Sequence, residues 1–346
     1  MEPNARNEGV ERQPENGLRS KSWHAAYDQS GRRVPDFFLV GHPKCGTTAL
    51  HQMLRTHPQV FMPELKEPRF MGSDIHVTGE RRKPPLPRDL DQYLALFAAA
   101  RDDEHAGEAS PMYLVSHRAA GEIAAVAPDA RIIAIVREPA SLLRSLHMQH
   151  VQSYVETCND LRRSLAMEDE RRRGKNLPNL VEFRPEVLFY SDYVRFVEQL
   201  RRYEEFFPRE HIHVAVYDDL RADNEAAVRA MLAFLGVDDD VGIEAEEANR
   251  TVRVRSQPLH SLTRSVSVGT GPTSRAVKSA VKAVTPQALR RRALHTVHHR
   301  VAVGPPGGPD EELERELRLR YRGEVVALSE YLDRDLVAEW GYDSPD

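Results

Sequence analysis

A strand, a glycine-bounded turn and a helix follow one another in residues 36–50, and this order constrains the fold more than any other feature. The apolar run 37–40 leads into a turn that Gly41 and Gly46 delimit, and apolar residues at helical spacing follow. Backbone N–H groups of such a turn, and of the helix that it starts, point toward one spot where the helix dipole favours an anion. The segment therefore predicts a phosphate-binding loop at the end of a strand.

The spacing of this loop is close to that of a nucleotide triphosphate loop, G-x-x-x-x-G-K-[ST], except at one position. Gly41, Gly46 and Thr48 match, but Thr47 occupies the position of the lysine, and Lys44 lies earlier in the loop. A nucleotidase needs that lysine on the β- and γ-phosphates. Three interpretations stay open from the loop alone: a site for a different anion, a P-loop kinase or NTPase, and a strand–turn–helix corner without a ligand.

The rest of the chain alternates apolar strands with amphipathic helices, which predicts an α/β fold with a mostly parallel sheet between two layers of helices. The clearest strand, 131–136, is almost continuously apolar and is typical of a central strand that is covered on both faces. The charged segment 159–185 is expected to be irregular. Apolar spacing predicts helices at 90–100, 121–126, 191–207, 224–235 and 311–333.

A chain of 346 residues with 40% hydrophobic content can form one large α/β domain or two smaller ones. Residues 1–33 are polar and charged, and we expect them to be a flexible tail. The remainder, 34–346, is expected to be a single domain, in which 158–188 and 256–308 are helical cap insertions.

Charge and cysteine usage exclude some classes of partner and site. The formal charge of -5 gives no case for nucleic acid as a partner. Cys45 and Cys158 provide neither a disulfide framework nor a metal site, and this suits a reducing compartment. The first thirty or so residues have no apolar core of a signal peptide, and no later run is long and apolar enough to span a membrane. We therefore expect the chain to be cytoplasmic.

Residues 250–303 differ in composition from the rest of the chain, because they contain eleven Lys or Arg residues and no Asp or Glu. A basic stretch of this kind can dock on an acidic molecule or make peripheral contact with a membrane surface. It can also form a solvated face that balances the acidic C-terminal segment. The sequence leaves these three interpretations open.

Four motifs carry a resemblance to a known family. They are H-P-K-C-G-T-T at 42–48, K-E-P-R-F at 66–70, E-A-S-P-M-Y at 108–113 and V-R-E-P-A-S-L-L-R-S at 136–145. Together they resemble the sulfotransferases that use 3′-phosphoadenosine 5′-phosphosulfate (PAPS), over about residues 37–236. The run F-F-P-R-E-H-I-H-V at 206–214 is similar to a run in the heparan sulfate branch of the family, and the chain resembles a bacterial member of that branch.

The resemblance implies in-line transfer of a sulfuryl group to an acceptor hydroxyl, with no metal ion. Lys44 would stabilise the leaving phosphate, and a carboxylate would take the acceptor proton. Glu67 is the candidate base, and Glu108 is the second candidate, because the catalytic His of cytosolic members has no counterpart near it. Two positions depart from the heparan-type pattern: Arg69 stands in place of a His, and Ala109 in place of a Lys.

The same resemblance assigns ligands to PAPS. The 5′-phosphate would bind backbone N–H and hydroxyl groups of the loop, the 3′-phosphate a guanidinium and a hydroxyl, and the adenosine basic residues after the last core strand. The ligands of the 5′-phosphate would be Lys44, Cys45, Gly46, Thr47 and Thr48. The ligands of the 3′-phosphate would be Arg137 and Ser145, and those of the adenosine would be Arg253 and Arg255.

The acceptor class stays open between a carbohydrate, a glycolipid and a small natural product with a hydroxyl, and the heparan-like motifs favour a carbohydrate. A nucleotide-binding protein without catalysis is the non-enzyme alternative. The histidines of the core segments are predicted to be structural or surface residues: His42, His117, His147 and His150.

Overall fold

The main sheet consists of five parallel strands in the order β2–β3–β1–β4–β5. The computed structural model describes residues 25–75, 86–153, 155–178, 183–240 and 310–343, and the backbone of 253–254 and 303–304. The strands are β1 Phe37–Leu39, β2 Val60–Phe61, β3 His105–Ala109, β4 Arg131–Val136 and β5 Ile212–Val216. Two further short strands, β6 Arg253–Val254 and β7 Val303–Gly304, pair with each other in antiparallel fashion.

The strand that carries the predicted loop, β1, lies at the centre of this sheet. Phe37 is in register with Gly107 of β3 on one side and with Arg131 of β4 on the other. Every residue of β1 and β3 is buried, so both faces of the sheet are covered. The predicted α/β fold with a parallel sheet is therefore confirmed, and so is the central strand at 131–136, which is β4.

Helices cover the sheet in two groups. In one group the long C-terminal helix α10 (Glu311–Leu332) packs on α4 (Pro139–Gln152) and α7 (Phe196–Glu204). In the other, α1 (Thr47–Arg55) packs on α9 (Asn224–Leu235). Short 3-10 helices at Pro111–Tyr113, Pro185–Leu188 and Tyr190–Val194 connect these elements. The α-helices are α1 Thr47–Arg55, α2 Leu90–Leu94, α3 Ala119–Val126, α4 Pro139–Gln152, α5 Leu161–Ala166, α6 Glu168–Arg172, α7 Phe196–Glu204, α8 Tyr217–Ala222, α9 Asn224–Leu235, α10 Glu311–Leu332 and α11 Leu336–Glu339. Among the described residues, no helix combines the length and the apolar character that crossing a bilayer requires.

The helices predicted at 224–235 and 311–333 agree with the structure because local signals end them, whereas the helix predicted at 90–100 is α-helical only over Leu90–Leu94 and continues as a 3-10 helix over Ala95–Phe97. Helix α9 stops at Gly236, which is left-handed with φ 77°, and α10 stops at Asp333, which is left-handed with φ 51°. The helix predicted at 191–207 is shorter, because Arg195 has non-helical backbone angles of φ −80° and ψ 57° before α7 begins. The preceding turn is instead a 3-10 helix, whose Asp192 carbonyl accepts a hydrogen bond from Gln199 at 2.5 Å.

The segment predicted to be irregular, 159–185, contains helices α5 and α6, so that prediction is wrong. Its charged residues make tertiary contacts that local pattern does not reveal. Arg171 forms two hydrogen bonds of 2.7 and 2.9 Å with Glu156, and both side chains are buried. A buried ion pair of this geometry fixes α6 against the segment that follows α4, because either partner alone would leave an uncompensated charge in the core.

The last residues of the predicted N-terminal tail pack on the domain. Tyr27 and Arg33 form an isolated antiparallel bridge, and the buried Arg33 pairs with Asp36 and donates to the carbonyl of Glu104 at 2.8 Å. Asp36 also accepts a hydrogen bond of 2.7 Å from the N–H of Ala106 in β3. Residues 1–24 lie outside the described part, as does the predicted insertion at 256–308 apart from the backbone of β7.

Candidate active site

A cleft of about 500 Å³ opens at the carboxyl edge of the sheet, where parallel α/β sheets bind ligands. The ends of β1, β3, β4 and β5 all deliver residues to it. Its lining combines charged groups from the loops with apolar groups from the 3-10 helices and the segment before them. These residues include Lys44, Gly46, Thr47, Thr48, Glu67, Arg69, Met112, Arg137, Gln149, His150, Ser153, Val155, Phe183, Val187 and Tyr217.

The loop between β1 and α1 depends on glycine at both ends. A Cβ on Gly41 would lie 3.1 Å from the carbonyl oxygen of Ile135 in the neighbouring strand, so only glycine allows this approach without displacement. Gly46 caps α1 in the left-handed conformation with φ 79°. Lys44 is also left-handed, with φ 73°. The turn thus presents Lys44, Thr47 and Thr48 to the cleft at the N-terminus of α1.

Arg137 is held in place beside this loop. It follows β4 directly, and Glu138 caps α4 by accepting hydrogen bonds from the N–H groups of Ala140 and Ser141. The guanidinium of Arg137 donates to the Lys44 carbonyl at 2.7 Å and lies over the Tyr217 ring at 4.6 Å. Both contacts turn the planar guanidinium toward the cleft.

The two cations at this end of the cleft influence each other. Burial lowers the pKa of Lys44, and the positive charge of Arg137 lowers it further. An anion bound between them would offset both effects, because an opposite charge favours the protonated amine. The pair is therefore suited to a multiply charged anion.

Ser145 is buried in α4, and its hydroxyl has no hydrogen-bond partner among the described residues. It lies two helical turns beyond Arg137, on the same side of α4 as Ser141, which accepts a hydrogen bond of 3.3 Å from Arg137. Buried hydroxyls are normally hydrogen-bonded, but Ser145 is only 3% exposed and is not among the residues that line the cleft. The backbone of β6, which contains Arg253, lies next to α4. The side chain of Arg253 and all of Arg255 fall outside the described residues.

Cys45 does not reach the cleft, in contrast to the sequence prediction. Its side chain is fully buried, and burial raises the pKa of the thiol to about 12. Its backbone N–H donates to the carbonyl of His42 at 3.3 Å, within the turn. Because that donor is already used to close the turn, Cys45 supports the loop without presenting a group to a ligand.

The loop that contains Glu67 is pinned to the end of β3 by hydrogen bonds. The N–H of Glu67 donates to the Ala109 carbonyl at 3.1 Å, and the N–H of Arg69 donates to the Ser110 hydroxyl at 3.3 Å. Glu67 and Arg69 both have positive φ, 57° and 52°. Such backbone angles cost energy in non-glycine residues and are held by surrounding contacts. The loop therefore positions the Glu67 side chain in the cleft rigidly.

Two cations flank the Glu67 carboxylate. Lys66 Nζ lies 2.8 Å from Oε1, and Arg69 Nη2 lies 2.6 Å from Oε2. Burial raises the pKa of Glu67, but the attraction of Lys66 and Arg69 outweighs it and lowers the pKa to about 2. Glu67 is consequently ionised at neutral pH, and it lines the cleft with 22% of its side chain exposed.

The second candidate base, Glu108, lies in the core behind this loop and does not line the cleft. It is 0% exposed, and Tyr93 donates to its Oε2 at 3.1 Å. Burial raises the pKa of Glu108 to about 7, while the hydroxyls of Ser110, Tyr113 and Tyr93 oppose this shift. In this position its carboxyl cannot meet an acceptor hydroxyl, so its geometry fits support of the end of β3.

Several lining residues were not singled out in the sequence. Tyr217 had one signal, because it directly follows the strand β5 and so stands at the ligand-binding edge. His150, predicted to be structural or at the surface, is buried and lines the cleft beside Gln149. Phe183 and Val187 approach from a segment without periodicity, and nothing local marks them.

Comparisons with known proteins agree with these motifs. A family profile described as "Sulfotransferase family" matches residues 35–240. Human heparan sulfate glucosamine 3-O-sulfotransferase 6 is 34% identical over 110 residues, which cover 32% of this chain and 29% of that enzyme. Human carbohydrate sulfotransferase 15 is 37% identical over 81 residues, 22% of this chain and 14% of that enzyme. The matched segments thus span less than a third of the length of both relatives.

Likeness to a solved structure extends over most of the chain. The crystal structure of a sulfotransferase from Alicyclobacillus acidocaldarius superposes with a TM-score of 0.60 at 26% sequence identity. The superposition covers 89% of this chain and 98% of that one. A superposition of this extent agrees with the fold predicted from the sequence.

Proposed function

Because this chain belongs to the sulfotransferase family, we propose that it transfers the sulfuryl group of PAPS to an acceptor hydroxyl. The observation that carries the proposal is one cleft containing an anion loop with Lys44, a second cation at Arg137, and an ionised carboxylate at Glu67. These are the three elements that displacement at sulfur requires: a site for the phosphates, a charge on the leaving group, and a group that takes a proton.

The nucleotide would lie along the N-terminus of α1 and the start of α4. Gly46, Thr47 and Thr48 provide N–H and hydroxyl groups for the 5′-phosphate, which the dipole of α1 also favours. Arg137 provides the guanidinium for the 3′-phosphate. The buried hydroxyl of Ser145, which has no partner among the described residues, would join it if the phosphate reached behind the lining of the cleft. A guanidinium suits that position because it binds an oxyanion through two parallel hydrogen bonds.

When bound, PAPS supplies the sulfuryl group and a phosphate leaving group. Lys44 is placed to donate to the oxygen that becomes negative as the sulfuryl group leaves, and its lowered pKa makes its proton easier to share. Glu67 accepts a hydrogen bond from the acceptor hydroxyl and takes its proton during attack. Because a carboxylate with a pKa of about 2 is a weak base, the proton moves only as the O–S bond forms and the hydroxyl becomes strongly acidic. Lys66 and Arg69 hold Glu67 ionised and fix the direction of its oxygens.

The Thr47 substitution weighs against a kinase or NTPase. With threonine at the lysine position of the triphosphate motif, no lysine follows the second glycine to reach a γ-phosphate. Carbohydrate acceptors are supported by the names of two relatives, a heparan sulfate and a carbohydrate sulfotransferase. The proposed acceptor is a carbohydrate, a glycolipid or a natural product that carries a hydroxyl group.

Labelled sulfate transfer tests the proposal. The protein is incubated with PAPS that carries a radioactive sulfuryl group and with a mixture of carbohydrate, glycolipid and phenolic acceptors. We expect label in at least one acceptor, and we expect Lys44→Ala to lose it while the protein stays folded. The matched control is Lys175→Ala, which removes an exposed lysine three residues after α6. Hydrolysis of ATP without any sulfate transfer would instead support the NTPase alternative.

A further inference from the structure

Two groups of residues with different chemistry line the cleft. Lys44, Thr47 and Arg137 belong to the proposed nucleotide site. Met112, Val187 and His150 form the second group, and each of them contacts the buried Tyr193. The hydroxyl of Tyr193 reaches the Met112 sulfur at 3.9 Å and the Val187 carbonyl at 3.3 Å.

His150 adds no charge to this second group. Its ring lies 6.5 Å from the Tyr193 ring, in an edge-on arrangement. Burial lowers the pKa of His150 to about 3, so the imidazole is neutral at pH 7. Gln149 and Ser153, its neighbours in the lining, are polar but uncharged.

Phe183 forms an apolar wall of the cleft, and this residue is attached to the loop that carries Glu67. The Arg69 guanidinium lies over the Phe183 ring at 4.9 Å, and its Nη2 contacts Glu67. Arg184, the next residue, donates from its backbone N–H to the Ile75 carbonyl at 3.0 Å and from its Nε to the Ser73 carbonyl at 3.1 Å. The apolar wall and the carboxylate are thus built as one unit, so a molecule that touches Phe183 lies next to Glu67.

The cations among the described lining residues are Lys44, Arg69 and Arg137. Each of them already has a partner or a proposed ligand. Lys44 and Arg137 belong to the proposed nucleotide site, and Arg69 is paired with Glu67 at 2.6 Å. A polyanionic chain is recognised by several Arg or Lys groups that can turn toward its sulfates and carboxylates. Among the lining residues that the structure describes, none remains for that purpose once the nucleotide is bound.

We propose that the acceptor is an uncharged hydroxyl compound with an apolar portion, and not an anionic polysaccharide. This inference rests on the proposed sulfuryl transfer and narrows its acceptor class. The apolar portion would pack on Phe183, Val187 and Met112, while neutral polar groups meet Gln149 and Ser153. The hydroxyl that is sulfated would point to Glu67.

Calorimetric titration of three probes tests this inference, with the protein saturated by adenosine 3′,5′-bisphosphate. The probes are hexyl β-D-glucoside, methyl β-D-glucoside and a heparan sulfate tetrasaccharide. The two glucosides have the same hydroxyls and differ in apolar surface alone. We expect the hexyl compound to bind at least about tenfold more tightly than the methyl compound, since burying two of its methylenes is enough for that ratio. We expect the tetrasaccharide to bind more weakly than the hexyl compound.

A tetrasaccharide that binds as tightly as hexyl glucoside, or equal binding of the two glucosides, overturns the proposal. Val187→Thr, which is close in shape but more polar, should reduce the preference for hexyl over methyl glucoside about threefold or more. Val197→Thr on α7, outside the cleft lining, should leave it unchanged. The melting temperature is recorded with and without the nucleotide. Loss of that response, or of all sulfate transfer, counts against the sulfotransferase proposal, whereas the ratio of probe affinities counts for or against the acceptor class.

Discussion

The guanidinium of Arg137 donates a hydrogen bond of 2.7 Å to the backbone carbonyl of Lys44. This contact joins the end of β4 to the turn after β1, so the two proposed phosphate sites are connected through the backbone as well as through the ligand. The Tyr217 ring, 4.6 Å from the guanidinium, limits its movement on the other side. A change at Arg137 should therefore alter the loop and the 3′-phosphate site together.

Replacing Arg137 by Ala should remove most of the rise in melting temperature that adenosine 3′,5′-bisphosphate produces. Hydrogen bonds to a charged group contribute about 1.5–3 kcal/mol, so binding should weaken by one to two orders of magnitude. Arg137→Lys keeps the charge but not the fork, and it should give an intermediate loss. Arg163→Ala, at an exposed position on α5, is the control and should retain the full rise. An undiminished rise in Arg137→Ala would remove this residue from the nucleotide site.

Replacing Glu67 by Gln should abolish transfer but preserve nucleotide binding. The amide keeps the shape of the side chain but cannot take a proton, and loss of a general base typically lowers kcat by about 10²–10⁴-fold. Labelled transfer and the nucleotide-induced melting shift are measured on the same preparation. Glu64→Gln makes the same chemical change three residues earlier, on a side chain with 93% exposure, and should be neutral. Full activity in Glu67→Gln would require another base.

The pH dependence of transfer should reveal the effect of Arg69 on Glu67. With both cations present, the pKa of Glu67 is lowered to about 2, so protonation of this group should not reduce kcat/KM above about pH 4. Arg69→Leu removes one opposite charge, which typically raises a carboxyl pKa by about one unit or more. The acid limb of the pH profile should then move upward into the measurable range. A profile with an unchanged acid limb would show that Arg69 does not control this carboxylate.

Glu108 should make the fold less stable as pH rises. Its pKa is raised from 4.5 to about 7 in the folded chain, so the native state binds more protons than the unfolded chain between these values. Stability contributed by the neutral acid is full below about pH 4.5 and is lost as pH rises toward 7. At 1.36 kcal/mol per unit, the loss amounts to about 3 kcal/mol.

Urea unfolding at pH 5 and pH 8 measures this effect. Glu108→Gln keeps a group that can bond Tyr93 but has no proton to lose, so its free energy of unfolding should change less between the two pH values. The comparison of variant with parent cancels titration of the other groups. If the free energy of unfolding changes equally with pH in the two proteins, titration of Glu108 does not cause the loss of stability.

The sequence was informative wherever structure is determined by neighbouring residues. Strands 37–39 and 131–136 are short apolar runs, and their burial on both faces follows from that composition. The turn at Gly46 and the end of α9 at Gly236 follow from the backbone freedom of glycine. The residues at the carboxyl ends of strands, among them Arg137, were found because parallel sheets place ligands there.

Other features depend on partners that are distant in sequence. The motif at 108–113 indicates a base at Glu108, but Tyr93 and the loop at 67–71 enclose this residue in the folded chain. Cys45 was a candidate ligand because spacing does not show that its N–H is used within the turn. The residue before a proline is usually extended, yet Glu67 has positive φ, because contacts with the end of β3 override the local preference.

The central position of β1 also affects how the protein is made. Its two sheet partners contain Gly107 and Arg131, which follow Phe37 much later in the chain. At a synthesis rate of about 5–20 residues per second, the ribosome releases β1 several seconds before its second partner emerges. The apolar strand has no sheet neighbour until β3 emerges, and the turn with Lys44 has no Arg137 to hold it until β4 emerges. The proposed nucleotide site is therefore incomplete until β4 has left the exit tunnel, and chaperones have the period before β3 emerges in which to shield β1.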